Sequence, residues 1–198
     1  MLHILMGKSG TGKDALMRKL IEKDHFIPLV SMTTRPMREG EKDGREYNFV
    51  TKEEFLKDLD DNKFIEYRSY NTLVDNIPDT WYYGSPKYEL DDNKNYVVIL
   101  DVEGTESFLS YYKGTPLLVA YIETPDELRE ERASLRGGFN KAEWDRRVVD
   151  DNRVFAPEIV SKIADVELLN KGTIDDLYNN YKFAAFPKIA EEEEYLVD

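Results

Sequence analysis

A strand-like run, Leu2 to Met6, passes directly into Gly7-Lys8-Ser9-Gly10-Thr11-Gly12-Lys13-Asp14 and then into an amphipathic stretch in which Leu16, Leu20 and Ile21 share one face. Nothing else in this 198-residue chain restricts the fold as tightly. Strand, glycine turn and helix in that order make a phosphate loop. The glycines let successive N–H groups curl around an anion, and the helix start adds its positive dipole end. Lys13 is placed to reach β- and γ-phosphates. The usual pattern puts serine or threonine after the lysine, where a hydroxyl meets Mg²⁺; here the residue is Asp14. A carboxylate can hold Mg²⁺ directly or through water and suits a helix first turn, although it brings negative charge towards a nucleotide.

Short apolar segments recur at Ile27–Ser31, Tyr96–Asp101, Leu117–Ile122 and Asp165–Leu169, as expected of strands buried on both faces of a parallel sheet. Between them, Thr51, Thr124 and Thr173 each precede a carboxylate by three residues, which predicts capped helix starts, with Pro125 at the first helical position of the second. The alternation predicts an α/β fold of three layers around a central parallel sheet. Two stretches interrupt it. Residues 33 to 92 are polar and tyrosine-rich, with turn signals at Glu39-Gly40, Asp43-Gly44 and Ile77-Pro78-Asp79; residues 129 to 153 are arginine-rich around Gly137-Gly138. Both read as excursions from one domain, 1–198, whose core is 1–32, 93–128 and 154–198. The Glu191–Glu194 run reads as a solvated tail.

Composition removes several classes of function. No cysteine is present, which excludes thiol catalysis, and His3 and His25 alone cannot supply a histidine-rich metal cluster. A net charge of −13 argues against nucleic acid as a partner. No apolar run reaches the roughly 18 to 20 residues of a membrane span, and a strand beginning at Leu2 leaves no room for a signal peptide, so a cytoplasmic protein is expected.

Arg35 and Arg38, beside Pro36 and upstream of Tyr47, could grip a second phosphate, since guanidinium forks match its oxygens and a phenol adds a hydrogen bond. With these residues in view the chain resembles the guanylate kinase family of nucleoside monophosphate kinases. The likeness rests on the phosphate loop, on Ser31-x-Thr33-Thr34-Arg35-x-x-Arg38-x-Gly40-Glu41-x-x-Gly44-x-x-Tyr47-x-Phe49-Val50, on Phe64-Ile65-Glu66, on Tyr82-Tyr83-Gly84-Ser85 and on Asp101-Val102-Glu103-Gly104.

That resemblance implies ATP-dependent phosphorylation of GMP to GDP, with Mg²⁺ as cofactor, by a monomer or homodimer whose partners are the small nucleotides. It makes 33–92 the monophosphate-binding arm and 129–153 a lid. GMP would be held by Ser31, Arg35, Arg38, Tyr47, Glu66, Tyr83, Ser85 and Asp101. ATP would be held by Gly7, Lys8, Ser9, Gly10, Thr11, Gly12, Lys13, Asp14, Arg132 and Asn170, although a turn role serves Asn170 as well. Lys13, Arg136 and Arg147 would be catalytic, with Asp14 and Asp101 as metal candidates. Glu66 also has its own logic: a carboxylate accepts from both N1–H and the exocyclic amine of guanine, whereas adenine offers an acceptor at N1. Residues 70 to 81 depart from the family pattern and read either as a surface loop or as a modifier of base or sugar choice. Two rival readings stay open: a kinase for dGMP or another monophosphate, and a non-catalytic module that binds phosphorylated ligands.

Overall fold

The structure, a computed structural model, describes residues 1–38, 40–74, 77–135 and 139–194, with backbone alone at 72–74 and 186–194. The chain divides into two compact units, one formed by Met1–Pro28 with Asp92–Asp198 and the other by Leu29–Asp91.

The first unit is built on β1 (Leu2–Met6), buried along its whole length. It pairs in parallel on one side with β7 (Tyr96–Ile99) and on the other with β8 (Leu117–Glu123). The sheet is completed by β2 (Ile27–Pro28) beside β7 and β9 (Val166–Leu169) beside β8, giving the all-parallel order β2-β7-β1-β8-β9. The expected strand from Ile27 to Ser31 is shorter than its apolar run: it ends at Pro28, and Leu29 already belongs to the second unit.

Helix α1 (Lys13–Asp24) sends Leu16 and Leu20 into a core with Leu5, Val97, Leu118, Ala120, Ile122 and Leu168, which α7 (Ile174–Glu194) closes with Leu177 and Tyr181. Strand alternation turns Ile4, Val98 and Val119 to the other face, where α3 (Val102–Tyr111) packs on β1 and α6 (Pro157–Ile163) on α3. The three-layer α/β reading holds.

Thr173 caps α7, its hydroxyl accepting the Asp176 N–H at 3.2 Å while the Asp176 carboxylate accepts the Thr173 N–H at 2.8 Å. Thr124 does not cap α4 (Asp126–Ser134): Pro125 sits at the N-cap, and the buried Thr124 hydroxyl donates to the Thr11 carbonyl at 3.3 Å. The backbone at Glu191–Glu194 is helical. Helix α5 (Lys141–Val154) is capped by Asn140, whose side chain accepts the Glu143 N–H at 3.1 Å. Among the described residues, no helix is long and apolar enough to cross a membrane.

The second unit is a four-stranded sheet, β4-β3-β6-β5, made from β3 (Met32–Thr33), β4 (Asn48–Phe49), β5 (Phe64–Val74) and β6 (Ile77–Pro86). Helix α2 (Lys52–Asp60) begins with a full capping box at Thr51 and Glu54, as its sequence predicted. Its Phe55 stacks on Phe64 at 4.5 Å and leans on Tyr82 at 5.4 Å. Residues 70–74 and 77–81 are strand rather than loop. Tyr70 pairs with Trp81, Asn71 with Thr80 and Leu73 with Pro78, so these residues lengthen an antiparallel hairpin, and the turn expected at Ile77-Pro78-Asp79 lies inside β6.

His3 is fully buried in β1, shares a 2.6 Å hydrogen bond with the Tyr181 hydroxyl and meets the Phe26 ring edge-on at 4.7 Å. Burial, with smaller contributions from the N-terminal ammonium and Lys182, pushes its pKa down to about 3. An unfolded chain takes up that proton near pH 6.5, so stability is complete above this value and drains away as pH falls towards 3. From pH 7 to pH 5 the loss due to His3 is about 2 kcal/mol. Denaturant unfolding at both pH values should show that difference, and His3→Asn, which can still bond Tyr181, should lack it.

Candidate functional site

The loop after β1 is shaped by where its carbonyls are sent. A trans peptide points its C=O and the next residue's N–H in opposite directions, so anchoring one aims the other. The Lys8 carbonyl accepts from the Thr11 hydroxyl and from Lys13 Nζ, both at 2.9 Å, and Lys13 Nζ also donates to the Gly7 carbonyl at 2.7 Å. The Ser9 N–H therefore points away from Lys13, where it donates to Asp151 Oδ2 at 2.8 Å. The Ser9 carbonyl accepts from Arg129 Nε at 2.7 Å, which turns the Gly10 N–H the opposite way. The Thr11 carbonyl accepts from Asn170 Nδ2 at 2.8 Å and from Thr124, which turns the Gly12 N–H away from that pair. Gly12, at φ 99°, is the N-cap of α1.

Lys13 thus lies at the loop with its ammonium among loop carbonyls, and Asp14 is exposed on the first helical turn. Asn170 is buried and braces the loop from behind; its Oδ1 is buried without a hydrogen-bond partner. Arg132 NH2 donates to the Gly172 carbonyl at 3.1 Å. Arg147 is exposed and donates to Glu143 Oε1 at 2.9 Å, one helical turn before Asp151 on the same face of α5. Arg146 shares that carboxylate, and the two guanidinium groups hold Glu143 down to about 2. Arg136 and the Gly137-Gly138 turn lie outside the described residues, as does Glu39. Asp101 caps α3, its Oδ1 accepting the Gly104 N–H at 2.8 Å.

Among the described residues no three acidic or histidine side chains cluster as a metal cage. An exposed Asp14 beside a phosphate loop fits a cation held mainly by phosphate oxygens and water, with one or two carboxylates, which is the habit of Mg²⁺.

In the second unit two groups of expected site residues come together. Directly paired residues on antiparallel strands share a face, so Glu66 with Ser85, Arg68 with Tyr83 and Tyr70 with Trp81 form successive rungs. At the first rung the Ser85 hydroxyl donates to Glu66 Oε1 at 2.7 Å and lies 3.2 Å from Ser31 Oγ. Arg68 NH1 stands 3.8 Å from Glu66 Oε2. At the second rung Tyr83 meets Tyr47 edge-on at 5.8 Å and Tyr70 at 5.6 Å.

Arg35 is 4% exposed, lies over the rings of Tyr47 (5.7 Å) and Phe49 (5.6 Å), and is fixed by Glu41 Oε1 at 2.8 Å and the Pro36 carbonyl at 2.7 Å. Burial is the largest single effect and works against its charge, but the hydrogen bond and charge of Glu41, with Tyr83 and Tyr47, together outweigh it, so its pKa is raised, and Arg35 in turn holds Glu41 below the usual carboxylate range. Arg38 is exposed; its backbone N–H, not its guanidinium, donates to Glu41 Oε2 at 2.7 Å. Sequence reasoning missed Arg68, Arg129 and Asp151. Strand alternation from Glu66 points to the first, whereas no spacing rule joins the other two.

The guanylate kinase family pattern matches residues 1–137, a span that holds the loop, the whole second unit and α4. A guanylate kinase of the onion yellows phytoplasma is 33% identical over 163 residues, covering 78% of this chain and 72% of the relative. One of Helicobacter pylori is 35% identical over 157 residues, covering 75% and 70%. The crystal structure of guanylate kinase from Anaplasma phagocytophilum shares the fold, with a TM-score of 0.64 at 21% identity over 95% of this chain and 85% of that one.

Gly12→Ala tests the loop geometry. A Cβ there would stand 2.9 Å from Asn170 Nδ2, at a φ that side chains disfavour by about 1–2 kcal/mol. The variant should stay folded, with ATP affinity reduced about tenfold in an equilibrium titration.

Proposed function

The chain belongs to the guanylate kinase family, and from that premise we propose that it transfers the γ-phosphoryl group of ATP to GMP, releasing ADP and GDP. The observation that carries the guanine reading is the Ser31–Ser85–Glu66 hydrogen-bonded row, two hydroxyls ending in a carboxylate. Guanine presents two N–H donors and one carbonyl on a single edge. Glu66 would accept from both donors, and a serine hydroxyl would turn to the carbonyl. Adenine meets the same row with an acceptor facing the carboxylate.

The acceptor phosphate belongs with Arg35, Arg38, Tyr47 and Tyr83. Arg35 is already fixed against two rings and by Glu41, so little rotamer freedom is lost on binding. Its second phosphate pKa near about 6 leaves the attacking oxygen largely ionised at neutral pH, and no general base is required. The triphosphate belongs with the loop, where the Gly10 and Gly12 N–H groups are turned for it, and Lys13 would exchange the Gly7 and Lys8 carbonyls for phosphate oxygens. Lys13, Arg136 and Arg147 would neutralise charge on the transferred group, with Arg147 leaving Glu143 to do so, and Arg132 would help to hold the ATP. Asp14 and Asp101, directly or through water, would help to hold the Mg²⁺ that comes with ATP, and the ion would supply further charge neutralisation. Asn170 holds the loop in shape.

An ADP-release assay with Mg²⁺ and ATP against GMP, dGMP, AMP, dTMP, UMP and CMP decides the acceptor. Selective turnover of GMP is expected; preference for another nucleotide would reassign the pocket, and no turnover with any of them would leave only a phospho-ligand module. Lys13→Ala should abolish transfer and keep the fold. Glu66→Gln should narrow the GMP-to-AMP ratio of kcat/KM about 10- to 100-fold, the cost of one unmade buried hydrogen bond.

A further inference from the structure

Ser9 has both of its backbone polar groups tied down by side chains that belong to no part of the loop motif. Its carbonyl accepts from Arg129 Nε at 2.7 Å and its N–H donates to Asp151 Oδ2 at 2.8 Å, with the Ser9 hydroxyl 3.4 Å from Asp151 Oδ1. The two side chains also bind each other, Arg129 NH2 to Asp151 Oδ2 at 2.5 Å, while Arg129 NH1 bonds Asp126 at 2.6 Å. Arg129 is fully buried, with its guanidinium 5.5 Å from the centre of the Trp144 ring, and Asp151 is 14% exposed. Next to this clamp Lys8 Nζ donates to Asn152 Oδ1 at 2.7 Å.

Burying an ion pair rarely adds net stability, because desolvation cancels most of the attraction. What this pair does supply is geometry. A guanidinium offers three differently directed donors in one rigid plane, and here each has its own acceptor. With the Ser9 carbonyl held on one side and its N–H on the other, the Ser9 backbone cannot rotate. The following peptide plane is then fixed, and with it the direction of the Gly10 N–H.

We propose that Arg129 and Asp151 are positioning residues of the ATP site, which hold the phosphate loop in its anion-binding shape from α4 and α5. The proposal deepens the kinase reading and rests on it. The role needs no contact between either side chain and the nucleotide.

Three variants test it: Arg129→Leu with Asp151→Ala, which replaces the pair by apolar groups; Asp151→Asn, whose amide oxygen can still accept the Ser9 N–H; and Asp151→Ala. Binding of ATP is titrated directly, without acceptor, and KM is measured for ATP and GMP. The double variant should fold, bind ATP about 10- to 100-fold more weakly and leave the KM for GMP unchanged. Asp151→Asn should keep most of the ATP affinity that Asp151→Ala loses. A double variant that binds ATP as tightly as the wild type, or one whose two KM values rise together, overturns the proposal. If the double variant does not fold, equal ATP affinity in Asp151→Asn and Asp151→Ala overturns it in the same way. Because ATP binding is read without acceptor, failure of the GMP assignment leaves this result standing, whereas a wild-type chain that binds no ATP overturns both.

Discussion

The position of β1 between two parallel partners is the constraint on which the nucleotide-binding unit depends. A strand paired on both edges and covered on both faces cannot slide by one residue without turning Leu5 out of its core and Ile4 into it. Its end at Met6 is therefore fixed, and the loop starts at the carboxyl edge of a central strand, where α/β sheets of this kind leave room for ligands. From there the loop is held by its carbonyls rather than by its glycines alone. Lys13, Thr124, Asn170 and Arg129 each take a carbonyl, and the N–H groups are aimed as a by-product.

The second unit solves a different problem, which is to present a flat face of polar groups on a small sheet. Its back is sealed by Phe55, Phe64 and Tyr82, and Gly84 is required there because a Cβ would come within 2.9 Å of both phenylalanine rings. The opposite face can then carry Glu66, Ser85, Arg68 and Tyr83 in rungs with no apolar core to serve. The lengthened hairpin adds the Tyr70 and Trp81 rung to that face, with Tyr70 in contact with Tyr83.

The loop, the individual buried strands and the caps at Thr51 and Thr173 were legible because each depends on residues within a few positions of one another. Thr124 carried the same local signal and misled, since a buried hydroxyl near the Thr11 carbonyl found a tertiary partner instead of its own helix. The strand at Ile27 was overextended because apolar composition does not register where the chain passes from one unit to the other. Within the candidate site, Glu66, Ser31 and Ser85 were legible through family likeness, and the structure adds the hydrogen bonds that join them. Arg129 was not legible. On α4 it reads as one more surface arginine, and only the packing of α5 gives it a carboxylate from 22 residues away.

That pairing has a consequence for how the chain can change. Removing one member of a buried ion pair typically costs about 3–5 kcal/mol, because the other is left charged with less to compensate it, and here Arg129 would keep, among the described carboxylates, only Asp126. A domain stable by only about 5–15 kcal/mol carries such an intermediate poorly. Positions 129 and 151 are therefore coupled energetically as well as in space: the cost falls on the first exchange, and the second, which takes away the stranded charge, gives part of it back.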